Sequence, residues 1–412
     1  MGAPFSRLPI SLCMIVKNEE KYLGACLDSV AGFVNEMIVV DTGSTDRTMD
    51  IAHEKGARVY EVEWRDDFAW ARNQALEHAT NPWILHLDAD EELHPDSISW
   101  FRTTYPWANY DGYNITIHNL SRADAEEVFM SHAYVRFFRN MPHYRYVNRI
   151  HEHIPVPNQK KGNSEAKIIH KGYGDESLQD LRIDRNQELL FQELEEKPDD
   201  PYIYAYLANH FASQKQMEEM EYYASEALKR DVPSPLFEMS LRIYIWCSLE
   251  NNKHDQFEEI NKKYTLEEFP ELLFFNVERM FKSDEPDIEK ADYYLNTLFS
   301  IVNQLPANDC VRLIHNDVLR NAYRRKAEIL ASQKRFPKAA QYMEKASELG
   351  PTLFKLNIML SQYYLEAGEL EKSRRQIEKS IELIRKVGEK QHREKFIPIF
   401  KNLLQRIDNI VN

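Results

Sequence analysis

From Leu8 to about His170 short apolar runs alternate with amphipathic segments, a pattern that predicts an α/β domain with a largely parallel sheet. Ser11 to Val16 reads as the first strand, Tyr22 to Val30 as a helix, and Glu36 to Asp41 as the second strand, stopped by Thr42-Gly43-Ser44-Thr45-Asp46. Thr45 or Asp46 can cap a helix running through Met49 to His53. Ala57 to Val62 is a third predicted strand, Phe68 to Ala79 a long helix, and Trp83 to Leu87 a fourth strand ending on Asp88. Sheets of this kind bind ligands at the carboxyl ends of their strands, where Asp41 and Asp88 both fall.

Beyond about Leu178 glycine becomes scarce and apolar positions recur at helical spacing. The run Pro201 to Ala208, followed by Phe211, Met220, Ala224 and Ala227, has the offsets of a tetratricopeptide repeat. Ala327, Leu330, Ala339, Met343 and Ala346 recur 34 positions later as Ser361, Tyr364, Ser373, Ile377 and Ser380, the repeat length of that class. Leu236 to Val318 is helical but fits the template poorly, so the repeats are expected to be degenerate there; an irregular helical bundle is the alternative. The expected division is therefore residues 8–175 and 178–412.

The 43% hydrophobic and 12% aromatic content belongs to folded, globular protein. No run approaches the roughly twenty apolar residues of a membrane span, and Met1 to Arg7 lacks a secretion signal's apolar stretch, so a cytoplasmic location is expected. Cys13, Cys26, Cys247 and Cys310 show no paired short spacings, which argues against a zinc site or disulfide framework. The net charge of −14 sets nucleic acid aside as a partner.

Candidate chemistry concentrates in the first half. Asp88-Ala89-Asp90 puts two carboxylates at a strand end, where they can hold a hard divalent cation that bridges phosphates; alone, such a triplet is more often a solvated turn. Arg72 offers a planar, permanently charged fork for phosphate or base, or else faces solvent. Arg149-Ile150-His151-Glu152-His153 supplies a candidate general base, Glu152, with His151 to orient it or to bind phosphate or metal; a polar strand-edge cluster is the bland alternative. His170 competes with His151 for the metal, against a purely structural hydrogen-bonding role.

Four blocks in order resemble the inverting family 2 glycosyltransferases of GT-A (Rossmann-like) fold, over roughly Ile10 to Tyr173. They are Ile15-Val16-Lys17-Asn18-Glu19-Glu20, Val40 to Asp46, Phe68-Ala69-Trp70-Ala71-Arg72-Asn73 and Leu87-Asp88-Ala89-Asp90-Glu91. The resemblance implies a UDP-sugar donor held by Val16, Asn18, Glu19, Asp41, Arg72, Asp88 and Ala89, with Asp41 on uracil or ribose and Asp88 on ribose. It implies Mn2+ or Mg2+ on Asp90, with His170, and catalysis by Glu152 with His151. Many relatives carry a second acid where Thr42 stands, which leaves the base-reading side chain open between Asp41 and Thr42. The pocket that reads the sugar is expected in loops from Asp111 to His132.

Joined to the repeats, this half resembles bacterial enzymes of the sublancin peptide S-glycosyltransferase group, including the Trp64 to Phe68 approach and the His170-Lys171-Gly172-Tyr173 ending. The expected activity is transfer from a UDP-sugar to a peptide or protein side chain, with the superhelical repeats binding the acceptor or forming a homodimer. Alternatives are a cell-surface saccharide or lipid-linked acceptor, a catalytically silent repeat scaffold, and a nucleotidyltransferase. The last would need a Gly- and Lys-rich phosphate loop that Lys17-Asn18-Glu19-Glu20 does not supply.

Overall fold

A computed structural model describes residues 7–120, 128–171, 179–230, 232, 234–266, 268–305, 314–349, 354–387 and 390–411. Cys310, Gly172 and Tyr173 lie outside these. The chain forms two compact units, Met1–His210 and Phe211–Asn412.

The first unit is built on eight strands: β1 (Leu8–Val16), β2 (Val34–Asp41), β3 (Arg58–Glu61), β4 (Trp83–His86), β5 (Glu91–Leu93), β6 (Gly112–Leu120), β7 (Val128–Arg139) and β8 (Lys161–His170). They form one sheet in the order β3-β2-β1-β4-β7-β6-β8-β5. The first four are mutually parallel, as expected, but β7 joins β4 antiparallel and β6 and β5 also pair antiparallel with β7 and β8. The sheet is thus mixed, and within the Asp111 to His132 stretch expected as loops, residues 112–120 belong to β6 and residues 128–132 to β7. Tyr113, Ile115 and Ile117 are buried and alternate with Asn114, Thr116 and His118, the period of a half-buried strand.

Along β1 the side chains of Ile10, Leu12 and Met14 enter one apolar cluster while Cys13 and Ile15 enter the other, so both faces of the sheet are covered. Helices α1 (Leu23–Ala31), α2 (Thr48–Glu54) and α4 (Ser97–Thr104) contribute to the first face. Helix α3 (Phe68–Glu77) covers the second, capped by Asp67, whose Oδ1 accepts the Trp70 amide at 2.8 Å. Of the two candidate caps for α2, Asp46 takes the Thr48 amide at 2.9 Å. Helix α5 (Gln179–Glu196) and the start of α6 (Pro201–Gln214) belong to the same compact unit.

The regular elements described in the second unit are all helices: α7 (Met217–Lys229), α8 (Leu236–Glu250), α9 (His254–Lys263), α10 (Leu272–Phe281), α11 (Ile288–Gln304), α12 (Asn316–Ser332), α13 (Phe336–Glu348), α14 (Phe354–Glu366), α15 (Leu370–Val387) and α16 (Lys390–Val411). The ten residues of the 34-position pattern are all buried, and the Ser373 hydroxyl donates to the Ser361 carbonyl at 2.8 Å. α12–α13 and α14–α15 are therefore successive copies of one helix pair. No helix among the described residues is long and apolar enough to cross a membrane.

Candidate active site

The carboxyl ends of β1 and β2 are knitted by the two sequence blocks that follow them. Asn18, at φ 56°, accepts the Thr45 amide on Oδ1 at 2.8 Å and donates its own amide to the Ser44 hydroxyl at 2.9 Å. Glu19 donates its amide to the Thr48 hydroxyl at 2.7 Å. Asp41 is buried; its Oδ1 accepts the amides of Gly43 and Ser44, both at 2.8 Å, in a turn that Gly43 completes at φ 104°. Its Oδ2 is buried with no hydrogen-bond partner among the described residues. A carboxylate oxygen left so is a costly orphan unless a ligand supplies donors. Thr42 is turned inward, its hydroxyl donating to the Val16 carbonyl at 3.1 Å. Val16 and Ala89 are buried in the sheet's core, so they can offer a ligand only their backbone and wall.

At the end of β4 the charged residues form an alternating series. Arg72 donates from Nε to Glu152 Oε1 at 2.6 Å and from Nη2 to Asp88 Oδ1 at 2.8 Å. Arg136 donates from Nη2 to Asp88 Oδ2 at 3.0 Å and to Glu91 Oε1 at 2.9 Å. The order is Glu152, Arg72, Asp88, Arg136, Glu91: three carboxylates separated by two guanidinium groups. His86 sits at the centre, its Nε2 receiving Arg72 Nη1 at 2.6 Å and Arg136 Nη1 at 2.7 Å. Burial, then the two cations, hold its pKa well below the usual histidine value, so the ring is neutral. Its Nδ1 lies 2.7 Å from the Tyr146 hydroxyl and 3.0 Å from Arg136 Nη1. The arginines outweigh burial at Asp88 and keep it ionised. Glu91 is pushed up to about 7 by burial, against the pull of Arg136 and with the help of Asp88.

Arg136, His86 and Tyr146 carry no assigned role in the sequence reading. The apolar run Trp83-Ile84-Leu85-His86-Leu87 held a signal: a lone imidazole between core positions needs polar partners. Asn73, next to Arg72, fixes the Tyr146 segment by donating Nδ2 to its carbonyl at 3.0 Å and accepting its amide at 2.8 Å.

Asp90 stands apart from this series. Its Oδ2 lies 3.2 Å from His170 Nε2, and His170 Nδ1 lies 2.6 Å from Asn119 Oδ1. The Asp90 hydrogen bond and the charges of Asp90, Glu91 and Asp88 outweigh burial and raise the His170 pKa. A proton on Nδ1 held by Asn119 turns Nε2 toward Asp90, the orientation a metal-bound histidine needs. A divalent cation can replace the proton between Nε2 and the carboxylate, so this donor pair fits Mn2+ or Mg2+. Among the described residues no group of three or more His, Cys, Asp or Glu side chains could hold a metal, so a cation on this pair would need further ligands. Nearby Glu19 is raised to about 7 by burial and then by the Asp90 charge, the response of an acid crowded by uncompensated negative charge.

Glu152 lies on a closed loop rather than a strand edge: Val147 and His153 exchange backbone hydrogen bonds at 3.1 and 3.3 Å, and Asn148 and His151 take positive φ. His151 points to α6, stacking on Tyr206 at 4.1 Å between ring centroids. Desolvation, then His210, brings its pKa down to about 4. Of the expected site residues, Arg72, Asp88 and Glu152 therefore meet directly. Asp90 meets His170, Asn18 meets the Asp41 turn, and His151 joins neither charged cluster.

Residues 11–161 match the model of the family described as glycosyl transferase family 2. A tetratricopeptide (TPR) repeat-containing protein of Synechococcus elongatus is 33% identical over 266 residues, 62% of this chain and 64% of that protein. The SPbeta prophage-derived glycosyltransferase SunS of Bacillus subtilis is 41% identical over 92 residues, 22% of each chain. This chain thus spans less than two thirds of either relative. The crystal structure of glucosyl-3-phosphoglycerate synthase from Mycobacterium tuberculosis, in complex with Mn2+, uridine-diphosphate and glucosyl-3-phosphoglycerate, is 28% identical over 27% of this chain and 43% of that one. Its TM-score is 0.23.

Proposed function

We propose, from the match of residues 11–161 to the glycosyl transferase family 2 model, that the chain transfers a sugar from a UDP-sugar to a peptide or protein side chain, with inversion at the sugar carbon. Residues 8–175 form the transferase domain in this reading and 178–412 the repeat domain. The observation that carries the donor assignment is the Asp41 carboxylate: buried at a strand end, with Oδ2 unpartnered, it suits the donor groups of a uracil or ribose. Thr42, whose hydroxyl is already bonded to Val16, is left as support for that turn.

Asp90 and His170 would hold Mn2+ or Mg2+ against the donor's diphosphate. That cation supplies Lewis-acid stabilisation of the charge that develops on the leaving oxygens. Asp88, clamped on both oxygens by Arg72 and Arg136, fixes the floor beneath the ribose. Arg72 serves as a positioning residue that holds Glu152 and Asp88 in one geometry. Glu152 is the proposed base, taking the proton from the acceptor's nucleophile as it attacks. His151, neutral and stacked on Tyr206, orients the Glu152 loop.

The helix-pair repeats support a polypeptide acceptor, since stacked pairs present extended surfaces; the same surfaces can serve a homodimer. The buried free thiols of Cys13, Cys26 and Cys247 suit a reducing compartment, and the cytoplasm is proposed.

The test is to incubate the chain with UDP-sugars and Mn2+ against peptide and saccharide acceptors and follow UDP release and product mass. Asp90→Ala should abolish release while the circular dichroism is unchanged; full turnover in EDTA would remove the metal from the mechanism. Glu152→Gln should keep UDP affinity and lose transfer, and an unchanged rate would exclude it as the base. A modified saccharide with unmodified peptides would replace the proposed acceptor class.

A further inference from the structure

Helix α5 follows the matched family segment in sequence, yet lies against its site. Its C-terminal half is fastened to the Glu152 loop: Glu193 Oε1 accepts the Arg149 amide at 3.3 Å, and Glu196 pairs with the Arg149 guanidinium. Its N-terminal half reaches the start of α3, where the Arg185 guanidinium lies 5.0 Å over the Phe68 ring. Phe68 in turn donates its amide to the Arg149 carbonyl at 2.8 Å, so the three segments are tied together.

Arg182 and Arg185 are three positions apart and share one face of α5, with about 5–6 Å between their Cβ atoms. Arg182 is within electrostatic reach of Glu19, and Arg185 of Glu152. The pair thus spans from the donor-side loop after β1 to the proposed base. Arg47, Arg58, Arg72, Arg136, Arg139 and Arg149 of the same unit each reach a carboxylate. Arg185 instead hydrogen-bonds only the neighbouring Asn186 Oδ1, at 3.0 and 3.3 Å, and Arg182 makes no hydrogen bond or ion pair among the described residues. Two adjacent guanidinium groups with no carboxylate in ion-pair contact among the described residues, in a chain of net charge −14, are an arrangement that an anion completes.

We infer that Arg182 and Arg185 of α5 form an anion clamp that grips the diphosphate of the nucleotide-sugar donor. The inference rests on the donor reading above and adds to it a binding element outside the matched segment. Arg182 depresses the Arg185 pKa, after burial, by like-charge repulsion, and a bound dianion relieves that repulsion. Two fixed cations would complement a metal held by only two side chains.

The experiment is calorimetric titration of the full chain, with Mn2+, using UDP and uridine as separate ligands. Arg182→Gln and Arg185→Gln should each weaken UDP about ten-fold or more, the loss of a charge-assisted hydrogen bond, and the double variant more than either. Uridine affinity should stay within about two-fold, because the nucleoside lacks the diphosphate. UDP affinity unchanged in the double variant, while the unaltered chain binds UDP, would overturn the clamp alone. Equal losses for UDP and uridine would also overturn it, by showing a general disturbance of the pocket. No UDP binding by the unaltered chain would overturn the donor reading and the clamp together.

Discussion

Arg136 is the residue on which the site's electrostatics turn, because it neutralises Asp88 and Glu91 together while buried beside a neutral imidazole. Arg136→Met should destabilise the chain by about 3–5 kcal/mol in urea unfolding, since it leaves the buried Glu91 without its cation and Asp88 with Arg72 alone. A loss below about 1 kcal/mol would show that water replaces the guanidinium. Asn119 is the corresponding residue for the proposed metal. Asn119→Ala removes the acceptor that orients His170 and should weaken Mn2+ about 10–100-fold in a titration with UDP present. Unaltered Mn2+ affinity would exclude His170 as a ligand held in that orientation. Glu19 gives a pH signature. Its folded pKa, about 7, lies above the ordinary value of 4.5, so the folded chain keeps a proton that the unfolded chain releases. The stabilisation is present below the unfolded value and is lost as pH climbs through the folded one. Without metal, Glu19→Gln should therefore gain stability relative to the parent as pH rises from about 4.5 to 7. Thermal unfolding at a series of pH values measures it, and a constant difference would contradict the shift.

The helices repeat a device finer than the 34-residue spacing. After α6, α8, α12 and α14 the residues Lys215, Asn252, Lys334 and Gly368 take positive φ. In each case the next amide bonds back five residues, Gln216 to Phe211, Lys253 to Ser248, Arg335 to Leu330 and Glu369 to Tyr364, at 2.9 to 3.1 Å. These are Schellman caps, and they set the turns of these four hairpins alike. Only one of the four positions is glycine, which hides the motif from a reading that looks for Gly at helix ends. Within Leu236 to Val318 the α8–α9 hairpin keeps the cap while its side chains drift from the template. Lys334→Gly should stabilise the chain by about 0.4–1 kcal/mol, and Gly368→Ala should destabilise it by about 1 kcal/mol, both read from denaturant midpoints. Opposite signs would mean that side-chain packing, and not backbone conformation, sets these turns. The strands divide in the same way. β1, β2 and β4 are legible because continuous apolar runs mark strands buried on both faces, whereas β6 and β7 alternate with polar residues and join antiparallel, so their partners cannot be inferred from spacing. Within the site, Asp41, Asp88 and Asp90 are legible because chain position places them at strand ends. Arg136 is not, because its meeting with Asp88 is a contact across 48 positions.

At the scale of the whole chain, the change in composition near Leu178 and the boundary of the compact unit after His210 are different things. The sheet's chemistry finishes at His170, but the Glu152 loop is held from outside by α5 and the first part of α6, through Arg149 with Glu193 and Glu196 and through His151 on Tyr206. A loop closed by two backbone hydrogen bonds, with two residues at positive φ, depends on such external contacts to keep one geometry. Cutting the chain after Gly174 removes all of them, whereas cutting after Gln214 keeps them. The longer fragment should therefore unfold cooperatively and bind UDP as the full chain does. The shorter one should melt at a lower temperature and bind UDP more weakly, while uridine, read at the Asp41 end, should bind the two fragments more nearly alike. Calorimetry and scanning fluorimetry on the two fragments decide it. Equal melting temperatures and equal UDP affinities would show that the helices past the matched segment contribute nothing to the donor site.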